Sequence, residues 1–374
     1  MRPRAESEGA ERALGTARRP PARSARPTRA ETDGTVRVAI VGVTGLVGRK
    51  MVQLLEQRRF AVGELRLLGS QRSEARTMRF RGVELPVEVA SHETLAGTDL
   101  VLASAGSWVS RALLPGAAAG GAVCIDNSSA FRLEPDVPLV VTVVNGHRLE
   151  GIRSGSGGAI VSNPNCSTIQ LVTALRPLHD AATVLRVVAS TYQSVSGAGL
   201  EAVESFETAT CAILAGGELS DSLAGTAAFD AVPAIGALDD AGHSEEELKL
   251  ARETPKILET AVEVDVCCVR IPVFVGHAAS VLVETARPLS PGAAREILAA
   301  APGIVVADEH PPTPRRVAGD GAVHVGRIRK ARTSKNAVQL WIVADNLLRG
   351  AALNAVEIAE RVLAASREEC PAHA

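Results

Sequence analysis

Apolar residues in this chain follow two alternating rhythms. Short runs with few polar side chains stand at Val36–Val41, Glu64–Leu68, Leu100–Ala103 and Ala122–Ile125. Such runs suit strands covered on both faces, as in a parallel sheet. After the first run come Met51, Val52, Leu54 and Leu55 at helical spacing, and Ile169 to Leu178 repeat that spacing further on. Strand followed by helix, repeated, predicts an α/β domain with a doubly wound parallel sheet. Further along, Val264–Pro272 and Leu340–Ala344 read as strands. Glu245–Leu258 reads as a helix, and Ala351–Leu363 as a long amphipathic one. Residues 1–34 break the pattern. They are rich in Arg, Ala and Pro with few bulky apolar residues, which predicts a disordered tail. Glu6, Glu8, Glu11, Glu31 and Asp33 count against a transit peptide there.

Composition narrows the class. At 374 residues, 46% of them hydrophobic, the chain has room for two domains and a sizeable core. Aromatics make up only 2%, so that core must be built from Val, Leu, Ile and Ala. The net charge is −2 and no basic block with interleaved aromatics follows the tail, which argues against nucleic-acid binding. No apolar run is long enough to predict a membrane span. Cys124, Cys166, Cys211, Cys267, Cys268 and Cys370 form no C-x-x-C pair and no zinc spacing, so no metal site is expected. The reducing cytoplasm is the natural compartment. Cys267 and Cys268 would face opposite sides of a strand and read as packing residues.

Chemistry enters with the first strand. It runs into Gly42-Val43-Thr44-Gly45-Leu46-Val47-Gly48 and then into a helix. Glycines at that spacing allow a tight turn, close approach of backbone to a pyrophosphate, and close helix–strand packing. The second strand lacks the acid that would hold ribose hydroxyls in an NAD site. It leads instead into Gly69-Ser70-Gln71-Arg72-Ser73. A guanidinium with two hydroxyls suits a 2′-phosphate, which favours NADP. Ser104-Ala105-Gly106 and Asp126-Asn127-Ser128-Ser129 follow two later strands, where open α/β sheets bind ligands, although the same residues also suit ordinary turns.

The most informative segment is Ser162-Asn163-Pro164-Asn165-Cys166-Ser167-Thr168. Asn163 and Asn165 are good helix caps, so Cys166 is expected at a helix start. Unpaired backbone N–H groups and the positive end of the dipole would favour its thiolate, the nucleophilic form.

In this order these motifs resemble the aspartate-semialdehyde dehydrogenase family from about Val36 to Leu363. The resemblance extends to Asp126–Arg132, Thr191–Gly199, Arg270-x-Pro272 with Gly276-His277, and Ala344–Leu347 with Gly350–Ala355. The Asn-Pro-Asn-Cys form is similar to one bacterial branch. Trp108 is bulkier than the family's usual residue beside the cofactor loop, and Gly155–Gly158 form a small insert.

The resemblance implies a Rossmann-type NADP-binding domain over 35–166, completed by a C-terminal helix over 346–366. It also implies an α+β catalytic and dimerisation domain with a mixed sheet over 167–345, and a flexible end over 367–374. It implies a homodimer, or a tetramer of paired dimers, acting in aspartate-family amino-acid biosynthesis on a small-molecule substrate and phosphate. The implied reaction is NADPH-dependent reduction of L-aspartyl 4-phosphate to L-aspartate 4-semialdehyde through a cysteine thioester. Cys166 would be the nucleophile, His277 the acid/base and Gln193 the active-site amide. Arg270 would hold the substrate carboxylate, Glu246 its ammonium, and Arg132 with Lys249 the phosphate, with Asn165 beside the substrate. Cofactor contacts would come from Gly42 to Gly48, from Ser70, Arg72 and Ser73, from Ser104, Ala105 and Gly106, and from Ser196, Gly197 and Asn346. The register of Glu245-Glu246-Glu247 is open. Glu246 is preferred because it stands three residues before Lys249, and its two neighbours read as a solvated face. An N-acetyl-γ-glutamyl-phosphate reductase has similar thioester chemistry, but its blocked nitrogen would leave Glu246 without a purpose. A silent NADP-binding paralogue is disfavoured by the intact Cys166 and His277.

Overall fold

The computed structural model describes residues 35–153, 157–220, 225–332 and 334–368. The expectations for the tail 1–34, for part of the glycine insert and for residues 369–374, Cys370 included, lie outside them.

Seven strands make the first sheet. They are β1 (Val36–Val41), β2 (Val62–Gly69), β3 (Thr77–Phe80), β4 (Val83–Val89), β5 (Leu100–Ala103), β6 (Val123–Asp126) and β7 (Ala159–Ser162), in the order β3-β4-β2-β1-β5-β6-β7. All neighbours pair in parallel except the β3–β4 hairpin. The period of two along β1 sets both faces. Val38 and Ile40 point into one core with α1 (Leu46–Gln57), while Ala39 and Val41 join another with Leu114 and Ala117 of a later helix, Ser107–Ala119. Helices on both faces make the sheet doubly wound. Short α2 (His92–Leu95) precedes that later helix, α3, and short α4 (Thr142–Asn145) precedes β7.

The second sheet is mixed. It holds β8 (Val184–Gln193), β9 (Glu263–Arg270), β10 (His277–Thr285), β11 (Ile304–Val306), β12 (Val323–Lys330) and β13 (Ala337–Ala344), in the order β11-β12-β13-β10-β8-β9. Three helices, α5 (Cys166–Ala182), α7 (Glu245–Leu258) and α8 (Pro291–Ala300), share an apolar core with its inner face. Between them α6 (Leu200–Leu214) buries only Phe206 and Ala209, and α9 is the single turn Pro314–Val317.

After β13 the chain makes a π-type turn over Leu348–Ala352 and continues as α10 (Leu353–Glu368). Ala352, Leu353, Val356, Ile358, Ala359 and Val362 pack with Val38, Ile40 and Met51 of the first domain. The sequence pattern started this helix at Ala351. The wider turn occupies that position, and the helix itself reaches Glu368, inside the end expected to be flexible.

Candidate active site

Where the two domains meet, a cavity of about 430 Å³ is lined by Cys166, Arg270, Glu246, Lys249, Arg132 and Asn165. Val47, Ser104, Ser196, Gly197 and Asn346 also line it, so candidate substrate and cofactor residues open on one space.

Cys166 is the first residue of α5. The Asn165 side chain caps the helix, accepting from Ser167 N (2.9 Å) and Thr168 N (3.2 Å). The cap is itself held. Its amide Nδ2 donates to Glu246 Oε1 at 2.8 Å, and its backbone N–H donates to Glu253 Oε2 at 2.7 Å. The electrostatic result differs from the one the helix start suggests. Burial, reinforced by the Glu246 carboxylate, pushes the Cys166 thiol up to about 12, outweighing Arg270, Arg132 and the Ser167 N–H. The helix end stabilises a thiolate, but here desolvation is the larger effect, and a base must take the proton.

Arg270, Gln193 and His277 come from one end of the mixed sheet; Arg270 lines the cavity, whereas Gln193 and His277 are buried behind its wall and do not line it. Gln193 at the end of β8 stands opposite Arg270 at the end of β9, and His277 opens β10 opposite Ala344 of β13. Arg270 Nη1 donates to Ser194 O at 2.8 Å. His277 is fully buried. Its Nδ1 accepts from Ser194 N at 3.0 Å, and its Nε2 has no hydrogen-bond partner among the described residues. Burial, with Arg270 nearby, lowers its pKa to about 3, so the ring is neutral at working pH. Gly197 separates the ring from the cavity. A Cβ there would stand 3.1 Å from His277 Nε2 and 3.0 Å from Arg270 Nη1, so glycine keeps both within reach of that space.

Glu246, Lys249 and Glu253 of α7 share one stripe that faces the site. Glu246 accepts from Asn165, from Gln193 Nε2 at 3.2 Å and from Lys249 Nζ at 3.3 Å. Seven residues on, Glu253 pairs with Arg132 Nη1 at 3.0 Å, and both are buried. Three points depart from the sequence reading. Arg132 does not await a dianion alone, because it already pairs with Glu253 and donates to Asn163 O and Asn127 O. Gln193 is engaged by Glu246. Glu247 is half-buried rather than solvated. It closes a capping box with Ser244 and accepts from Cys268 N, tying α7 to β9. Glu253 escaped notice, although Glu246, Lys249 and Glu253 at i, i+3 and i+7 mark a single helix face. Glu245 is exposed, as a solvated face requires. Cys267 and Cys268 face opposite sides of β9, but only Cys268 is buried, so the packing reading holds for Cys268 and not for the exposed Cys267.

The Asn-rich motifs knit the site's walls. Asn163 Nδ2 donates to Asn127 Oδ1 at 2.8 Å, and Asn354 Nδ2 donates to Asn163 Oδ1 at 2.6 Å. Asp126 organises its own turn, accepting from Ser110 Oγ, Ser128 N and Ser128 Oγ. Asn346 Oδ1 accepts from Gly276 N, and its Nδ2 donates to Ser196 Oγ.

The glycine turn fits a dinucleotide. Gly42 has φ +81°, and a Cβ there would sit 2.4 Å from Ser104 O; one at Gly48 would sit 2.4 Å from Gly42 O. Gly42 holds the turn tight against the residues that follow β5, Gly48 packs the helix start onto the turn itself, and Gly45 stands between them. Thr44, Leu46 and Val47 are part-exposed on the same turn, as are Ser104 and Ala105 beside it, while Gly106 is exposed. Ser73 is buried and bonds Thr44 Oγ1 at 3.1 Å, whereas Ser70 and Arg72 are exposed. A second cavity, of about 300 Å³, is lined by Thr44, Arg49, Arg76, Thr77, Met78 and Arg79, adding cations near this turn that the motif did not single out. Trp108 is 80% exposed. No described helix is long and apolar enough to cross a membrane.

Two family models match, the semialdehyde dehydrogenase NAD binding domain over residues 37–152 and the semialdehyde dehydrogenase dimerisation domain over residues 175–349. The chain is 46% identical to the aspartate-semialdehyde dehydrogenase of Aquifex aeolicus, an alignment covering 87% of this chain and 97% of that one. With the Bacillus subtilis enzyme of the same name the identity is 42%, over 86% and 96%. The solved structure of aspartate semialdehyde dehydrogenase II from Vibrio cholerae complexed with ASA matches with a TM-score of 0.83 at 39% identity, over 89% of this chain and 99% of that one. Sequence, fold and the matched domains agree that the chain belongs to the aspartate-semialdehyde dehydrogenase family.

Proposed function

We propose that this cavity reduces L-aspartyl 4-phosphate to L-aspartate 4-semialdehyde and phosphate, with NADPH as the reductant. The observation that carries the reading is the convergence of Cys166, Arg270, Glu246 and Lys249 on one 430 Å³ space that also meets Ser104, Ser196 and Asn346. A planar guanidinium at Arg270 matches the substrate α-carboxylate. Glu246, a buried acid, matches its free ammonium, which favours this substrate over an N-acetylated one. Lys249 and Arg132 offer cations to the acyl phosphate, Arg132 while keeping its pairing with Glu253. Asn165 holds the helix end and Glu246 in place.

Cys166 attacks the acyl carbon as its proton passes to His277, and phosphate leaves to give a thioester. Burial holds the thiol at about 12 and the imidazole at about 3, which disfavours a free thiolate beforehand. Gln193 would border the carbonyl region while held by Glu246, and the positive end of α5 would oppose the developing oxyanion. The bound nicotinamide supplies the hydride that reduces the acyl group. His277 then returns a proton as the sulfur is released. Gly42, Thr44, Gly45, Leu46, Val47 and Gly48 would cradle the pyrophosphate. Ser104, Ala105 and Gly106 would lie along it, and Ser196, Gly197 and Asn346 at the nicotinamide end. Ser70, Arg72 and Ser73, joined by Arg76 and Arg79, would hold the 2′-phosphate and select NADP over NAD. The working form is a cytoplasmic homodimer.

The test is reduction of NADP by the purified enzyme with L-aspartate 4-semialdehyde. Activity is expected to require phosphate, to favour NADP over NAD, and to lose part of that preference in Arg72→Ala. Reduction that proceeds unchanged without phosphate, or that prefers NAD, contradicts the reading.

A further inference from the structure

Ser194 lies within the Thr191–Gly199 motif, yet the proposed function gives it no role. It is fully buried and lies between β8 and the loop that carries Ser196 and Gly197. Its carbonyl accepts from Arg270 Nη1 at 2.8 Å. Its backbone N–H donates to His277 Nδ1 at 3.0 Å. Its hydroxyl lies 3.1 Å from the same Nδ1, donates to Asn346 Oδ1 at 3.1 Å and lies 3.2 Å from Ser196 Oγ. One residue thus touches the candidate carboxylate clamp, the candidate acid/base and two candidate cofactor contacts.

The backbone N–H poses a chemical problem. An amide only donates, so in the neutral ring Nδ1 must be the acceptor and the hydrogen must sit on Nε2. Nε2 is the buried, unpartnered atom that backs onto Gly197 and the cavity. A ring protonated at Nε2 has no lone pair there and cannot take a proton from Cys166. To act as a base at Nε2, the ring must carry its hydrogen on Nδ1. That hydrogen needs an acceptor, which the amide cannot be.

We propose that the Ser194 hydroxyl is this acceptor, and that Ser194 is a positioning residue which stabilises the Nδ1–H tautomer of His277. The ring gives its Nε2 proton to water and takes one from water at Nδ1, and the Ser194 N–H gives up its bond to Nδ1 in that state. A hydroxyl both accepts and donates. With its own hydrogen on Asn346 Oδ1, Ser194 Oγ accepts from Nδ1–H, and Nε2 is left with a lone pair facing the cavity. As the sulfur attacks, proton transfer breaks the S–H bond and forms Nε2–H, leaving an imidazolium whose Nδ1–H stays on Ser194 Oγ. The charged neighbours do not supply this function, and a backbone group beside the ring that can accept, at Gly276, stays in place in Ser194→Ala, so that variant tells the two acceptors apart. Arg270 on β9 carries only donors, and Asp345 at the end of β13 is taken by the N–H groups of Gly319, Leu347 and Leu348. Cys166 and Glu246 act on Arg270 through their charge.

The inference rests on the function proposed above, and its test separates the two. Ser194→Ala and Ser194→Thr are compared with the wild type in kcat, KM and pH–rate profile. A second readout is the rate of Cys166 alkylation by iodoacetamide without cofactor. In Ser194→Ala, kcat is expected to fall roughly ten- to a hundredfold, less than removal of the ring itself would cost. KM for the semialdehyde should change little, the limb of the pH profile assigned to the base should shift, and alkylation at neutral pH should slow. Ser194→Thr keeps the hydroxyl and should restore most of each. Ser194→Ala with wild-type kcat and alkylation overturns the inference, as does equal loss in Ser194→Thr, or a loss carried by KM alone. If the wild type fails to turn over the semialdehyde, the reading beneath fails, while alkylation still decides the role of Ser194.

Discussion

At the scale of single residues, the decisive contest is between a helix end and burial at Cys166. The sequence shows the helix end, because Asn165 and the apolar spacing after it are local signals. It does not show the burial that desolvates the thiol, nor the Glu246 carboxylate that adds to that effect, nor Arg270 and Arg132 that oppose it, all brought from other parts of the chain. The same holds for Arg132. Its type and motif were legible, but its pairing with Glu253 across 121 positions was not. A consequence can be measured. A thiol at about 12 leaves roughly one part in a thousand as thiolate at pH 9, since each pH unit is a factor of ten. In the enzyme without ligands, the thiolate absorbance lost on Cys166→Ser should therefore appear only well above pH 9, and alkylation should accelerate with pH throughout that range. A midpoint near 7 would show that the helix end prevails over burial.

Among the elements, the strands flanking the glycine turn and the helix behind Cys166 were readable because their apolar periods are long and uninterrupted. The β3–β4 hairpin and β11 left no comparable trace. They are short, and β3 and β4 are half-exposed, so their pattern is weak. The turn after β13 shows how context overrides propensity. Ala351 and Ala352 favour an α-helix, yet the chain takes a wider turn there that brings Gly350 against α5. A Cβ at Gly350 would lie 2.9 Å from Cys166 Cβ and 3.2 Å from its Cα. Neither atom is the free end of a flexible side chain, so the helix start must move. Gly350→Ala should keep the fold and NADP binding but lower kcat by about a hundredfold, the scale set by a 1 Å misplacement of reacting groups. A Gly350→Ala enzyme with wild-type kcat would mean that the nucleophile tolerates such a shift.

For the whole molecule, two sheets and their helices bring residues far apart in sequence to one cavity. That convergence was legible only through the ordered set of motifs, since no local pattern states how β8, β9 and β10 meet α5. The outer face of the mixed sheet is half-open. Val188 is 39% exposed there and pairs with Leu282, which pairs with Gln339. With a dimerisation-domain match over 175–349, this face is expected to join two copies. Val188→Asp should shift the mass in light scattering from two chains to one, and a monomeric wild type at micromolar concentration would contradict it. The account as a whole stands on Cys166 carrying the acyl group. The most direct measurement is the mass of the Cys166 peptide after enzyme is mixed with L-aspartyl 4-phosphate in the absence of NADPH and quenched. The account predicts an aspartyl adduct on Cys166, lost in Cys166→Ser and removed when NADPH is added before the quench. Turnover in an enzyme whose Cys166 never acquires that adduct would contradict it.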